Sequence, residues 1–74
     1  VENGMLWYDR DPSLTLKARI MGATAYFEQK YGGKPNKCLV NAGEFEQVNI
    51  DDLAVEPSQY VLPKHLLIGL EVNE

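Results

Sequence analysis

Cysteine, histidine and tryptophan each occur once in this 74-residue chain. With Cys38 alone, no intrachain disulfide can form, and no group of residues has the spacing of a metal site, so no metal or cofactor is expected. A single free thiol fits a reducing compartment, and the chain is read as cytoplasmic. No apolar run approaches the ~18 residues that cross a bilayer, and no signal peptide is expected, so a membrane is not among the predicted partners. Basic residues are also few. Seven Lys and Arg stand against eleven Asp and Glu, for a net charge of -4 and a pI near 4.8. The basic residues are scattered from Arg10 to Lys64, without a dense patch and without interleaved aromatics. An acidic balance repels phosphate backbones, so no nucleic-acid partner is predicted. Internal repeats, low-complexity tracts and linkers are absent from the sequence as well.

What is present is an ordinary globular composition, 45% apolar and 24% charged. That is too apolar for a disordered chain. The length allows one domain, residues 1–74. A chain this short buries only about 60% of the surface its unfolded form exposes. Its core is marginal, and small scaffolds often gain stability by association. Met5 reads as the natural start, with residues 1–4 an added or disordered leader.

Met5 to Tyr8 (MLWY) suits a first strand. Asp11-Pro12 reads as a helix start, because aspartate caps free N–H groups and proline at the first helical position wastes no hydrogen bond. Ser13 is the competing cap. From Leu14 to Tyr31 the spacing is helical: Leu16, Ile20, Ala23, Phe27 and Tyr31 form one stripe, widened by Leu14, Met21 and Ala25. Gly22 weakens the middle by roughly 1 kcal/mol relative to alanine and offers a point of close packing. Next comes GGKPNKCLVN, residues 32–41. A phosphate-binding loop needs glycine, four spacers, then Gly-Lys-Ser/Thr, between a strand and a helix. Here Pro35 follows Lys34, Glu28 occupies the first glycine position, and the order of elements is reversed. The stretch is punctuation: Gly32 provides a left-handed cap and Pro35 stops the helix.

Cys38 to Val40 is a short buried strand. Asn41 and Glu44 have the spacing of an N-cap and its third-position partner, which predicts one helical turn through Phe45. Val48 and Ile50 resume alternation, and Asp51-Asp52 is a turn. Leu53 and Val55 alternate up to Pro57, and Ser58 to His65 is a loop. Leu66, Ile68, Leu70 and Val72 point one way, with Leu67, Gly69 and Glu71 the other. Leu67 is apolar too, so this strand is expected to be covered on both faces. The predicted class is α+β: a small mixed sheet of about four strands with one long helix packed on one face, in the order β-α-β-(short helix)-β-β.

Candidate chemistry is thin. A general base needs a nucleophile or an orienting partner, and no residue near His65 nominates itself. A Cys38–His65 pair is the one nucleophilic arrangement on offer, yet a cysteine within a strand is usually an inert small hydrophobe. Asp9, Asp11, Glu44, Glu46, Asp51 and Asp52 lack the calcium-loop pattern and read as solvated loops and caps. The aromatics carry more. Trp7 and Phe27 can fill the core. Tyr8 then leaves the core side, because neighbours on a strand alternate. Tyr26 sits about 100° from Phe27 around the helix. Tyrosine and tryptophan are enriched in protein interfaces. Trp7, Tyr8, Tyr26, Phe45, Tyr60 and His65 are therefore the candidate protein-interaction residues; no catalytic residue is predicted.

The second half has a recognisable order: a helix ending in YGGKPN, then CLVNAGEF, then LAVEPSQYVLPKHLLIGL. It resembles the A domain of tailed-phage major capsid proteins and encapsulins over about residues 14–72. Asn41, Phe45, Val55, Pro63 and Gly69 match that family's pattern, whereas Ala42 replaces its usual proline. Nothing corresponds to a spine helix, an extended arm or an extended loop, so the chain looks closest to forms reduced to little more than this domain. The resemblance implies a non-enzymatic structural module that contacts its neighbours through the loops 42–47 and 58–65. The predicted function is thus a self-associating interaction module, a homo-oligomer. The alternative is a small acidic regulatory or adaptor protein that docks on one larger partner and covers a basic site there.

Overall fold

The computed structural model describes residues 3–11 and 13–71. Its elements are β1 (Asn3–Tyr8), α1 (Leu16–Tyr31), β2 (Lys37–Asn41), β3 (Ala54–Ser58) and β4 (His65–Leu70). The class is α+β, as predicted. The four strands form one mixed sheet in the order β1-β4-β2-β3. The last strand pairs antiparallel with both β1 and β2, while β2 and β3 run parallel. The helix lies against β4.

The helix begins later than the sequence suggested. Thr15 is the N-cap, its Oγ1 accepting from the Ala18 amide at 3.1 Å. The Asp11 carboxylate is occupied instead by the amide and hydroxyl of Ser13, at 2.9 and 2.6 Å. These bonds hold its carboxyl below the ordinary range, the hydroxyl contributing most. The reading of Pro12 as the first helical residue lies outside the described residues, as does that of Val72. At the other end the prediction holds. Gly32 takes a left-handed φ of 76°, and its amide donates to the Glu28 carbonyl at 2.8 Å.

Leu16, Ile20, Ala23 and Phe27 are buried against Met5, Cys38, Val40, Leu66 and Ile68. This is the core, and it fills one side of the sheet. The expected stripe is narrower than drawn: Met21, Ala25 and Tyr31 are exposed. Gly22 is exposed too, with nothing within 4 Å of a Cβ built there, so it makes no close packing.

Parallel neighbours need a crossover. The connection from β2 to β3 supplies one without a helix: Phe45, Val48, Ile50 and Leu53 pack against the core cluster beside α1. The predicted helical turn after Asn41 is a hydrogen-bonded turn only. The Asn41 side chain accepts from the Gly43 amide at 2.9 Å and donates to the Val61 carbonyl at 2.8 Å. Glu44 does not reach back to close a capping box; its Oε1 accepts the Lys64 amide at 2.6 Å. The Asp51-Asp52 turn is present, with Asp52 at φ 62°. The third strand runs on through Pro57, which was expected to end it. Asn3 and Gly4 are the first residues of β1, opposite Leu70 and Gly69, so the strand starts before Met5.

Candidate contact surface at strand β1

Alternation along each strand divides the sheet into two faces. Met5, Trp7, Cys38, Val40, Val55, Leu66 and Ile68 belong to the core side. The other side carries Gly4, Leu6 and Tyr8 from β1, His65, Leu67 and Gly69 from β4, Lys37 and Leu39 from β2, and Glu56 from β3. In register, Leu6, Leu67 and Leu39 form one apolar row across three strands. None of them joins the core cluster. The expectation that β4 is covered on both faces is therefore corrected: among the described residues no element packs over Leu67. The far end of this face is polar. Lys37 Nζ lies 2.8 Å from Glu56 and 3.4 Å from Glu71. The Glu56 bond, more than any other influence, raises its pKa.

Exposure is concentrated at the β1 margin. Leu67 and Leu39 are half-buried, but Leu6 is 64% exposed and Tyr8 52%. The Tyr8 ring stacks on His65, with centroids 4.6 Å apart. His65 Nδ1 lies 2.8 Å from the Pro63 carbonyl, which fixes the imidazole in place. On the core side of the same strand Trp7 meets Tyr26 at 5.2 Å, and Tyr26 remains exposed. The structure thus brings Trp7, Tyr8, Tyr26 and His65 together around β1. It does not bring Phe45 there, which packs on the core, nor Tyr60, which is exposed in the loop after β3. Leu6 was missed by sequence reasoning, which looked for aromatics; its alternation with core-facing Met5 and Trp7 was the available signal.

The backbone of β1 is equally asymmetric. The Asp9 amide donates to the Lys64 carbonyl at 3.2 Å. Residues opposite one another in an antiparallel ladder alternate between bonded and non-bonded pairs. Trp7, Met5 and Asn3 therefore bond inward to β4, and Gly4, Leu6 and Tyr8 direct their N–H and C=O groups out of the sheet. At the opposite edge, the Ala54 amide donates to Asn36 and the Ser58 carbonyl accepts from Ala42. There Val55 and Pro57 face outward, and Pro57 has no N–H to offer.

The Cys38–His65 pair is not formed, because its members lie on opposite faces of the sheet. Cys38 is fully buried on the core side, and burial pushes its thiol up to about 12. His65 belongs to the other face. Glu44 is held by the Lys64 amide and lies 4.0 Å from Arg19. Among the described residues no group of three or more His, Cys, Asp or Glu could hold a metal ion. No helix among them is long and apolar enough to cross a membrane. Compared with protein families, curated proteins and solved structures, the chain matches none.

Proposed function

We propose that this protein is a non-enzymatic interaction module that self-associates through the β1 side of its sheet. The observation that carries the reading is the leucine row, which no described element covers and which is most exposed where it reaches an uncharged edge strand. A soluble domain hides such a margin or uses it. The small core supports self-association, since association adds buried area to a chain of 74 residues. The resemblance to reduced shell A domains supports contact between copies, which it implies through the loops 42–47 and 58–65 rather than through β1.

Multi-angle light scattering over a wide concentration range tests it. The mass should rise from 8.3 kDa towards twice that value as concentration increases. A mass fixed at the monomer value at every concentration contradicts the proposal and favours docking on a different protein.

A further inference from the structure

Resting on that reading, we infer that two copies join β1 to β1 antiparallel, about a twofold axis at Leu6, into one continuous eight-stranded sheet. The two edges of the sheet are not equivalent. Pro57 interrupts the outer hydrogen-bonding row of β3, and Glu56 places a charge beside it. Strand β1, from Asn3 to Tyr8, contains neither proline nor charge. It is an unblocked row of donors and acceptors, and a second copy brings no charge to it that would repel the first.

The alternation of the ladder selects the register. The outward residues are Gly4, Leu6 and Tyr8, and pairing Leu6 with Leu6 engages all of them in both copies. Gly4 then lies opposite Tyr8 at either end, and about six N–H···O=C bonds form. The side chains agree with this arrangement. On the bare face the two Leu6 side chains meet, and the leucine rows of both copies become continuous. Each Tyr8 ring lies beside a Gly4, where there is no side chain to obstruct it. On the core side Trp7 of each copy lies opposite Met5 of the other. The most exposed apolar groups of the face, Leu6 and Tyr8, are the ones this pairing covers. A contact between identical surfaces closes on itself, so assembly stops at two. A six-residue edge is only about 20 Å long, so it buries less than the about 800 Å² per partner of a standard interface. The dimer is accordingly weak and concentration-dependent.

The test compares wild type with Leu6→Pro, Leu6→Lys and Leu6→Glu by sedimentation velocity, with circular dichroism confirming the fold of each. Leu6→Pro removes an outward N–H, used twice in the dimer, and the leucine side chain that meets its counterpart, without removing a bond to β4, and should raise the dissociation constant at least about tenfold. Leu6→Lys and Leu6→Glu should each be monomeric, and an equimolar mixture of them should restore the dimer. If Leu6→Pro fails to fold, the charge pair alone decides. Wild-type dimer that survives all three substitutions, or a mixture that stays monomeric, overturns the β1 pairing while leaving self-association intact. Wild type that is monomeric at every concentration overturns both.

Discussion

Cys38 shows most clearly how burial settles a residue's chemistry. The thiol is enclosed by the core, so the thiolate is disfavoured and the pKa rises from 9.0 to about 12. The unfolded chain releases this proton above pH 9, while the folded one retains it. The native state then holds the extra proton, so stability attributable to Cys38 is complete below pH 9 and falls as pH rises towards 12, by about 1.4 kcal/mol per pH unit. The measurement is a difference, which isolates the contribution of Cys38: urea unfolding of wild type and Cys38→Ala between pH 8 and about pH 11. Wild type should lose stability more steeply than the variant, and parallel pH profiles would refute the buried-thiol account. Iodoacetamide at neutral pH should likewise modify Cys38 only on unfolding.

At the scale of the element, α1 is a helix whose stability rests on two caps, Thr15 and Gly32, and one buried stripe. Thr15→Ala removes the bond to the Ala18 amide and should cost about 1 kcal/mol. Gly22→Ala should stabilise by about the same amount, because the position is exposed, helical and open to a Cβ. Thermal melts of both variants check the pair; a destabilised Gly22→Ala would mean that the glycine makes a close contact after all. This helix was legible in the sequence because its signals are local: a stripe at steps of three and four, then Gly32. The strands were legible for the same reason, through the short apolar run Met5 to Tyr8 and the alternation of Leu66 with Leu67. The turn after Asn41 was not. Its capping pattern is local, but the groups that compete for it, the Val61 carbonyl and the Lys64 amide, lie 20 residues away in each case. Pro57 misled similarly. Proline ends a central strand, but at an edge its missing N–H faces away from the sheet, and edge position is a property of the whole sheet.

For the molecule as a whole, strand order is the decisive fact and the one least visible in the sequence. No local pattern states that the last strand inserts between the first and the second, and that insertion leaves β1 at the margin. The candidate aromatics could be named one by one, yet only the order gathers Trp7, Tyr8, Tyr26 and His65 around one strand and leaves Phe45 and Tyr60 elsewhere. The same order places one helix and one crossover loop on a single side of the sheet and, among the described residues, leaves the leucine row outside the core cluster. Function at this scale is a matter of which surfaces remain unpaired, and among the described residues the outer edge of β1 has no strand beside it, while Leu6 and Tyr8 on its bare face are exposed. Amide hydrogen exchange resolved by residue reads this state most directly. The Met5 and Trp7 amides, bonded to β4, should be protected at every protein concentration. Those of Gly4, Leu6 and Tyr8 should exchange fast in dilute solution and become protected as concentration rises. Fast exchange at these three positions, unchanged from dilute to concentrated protein, would contradict the account.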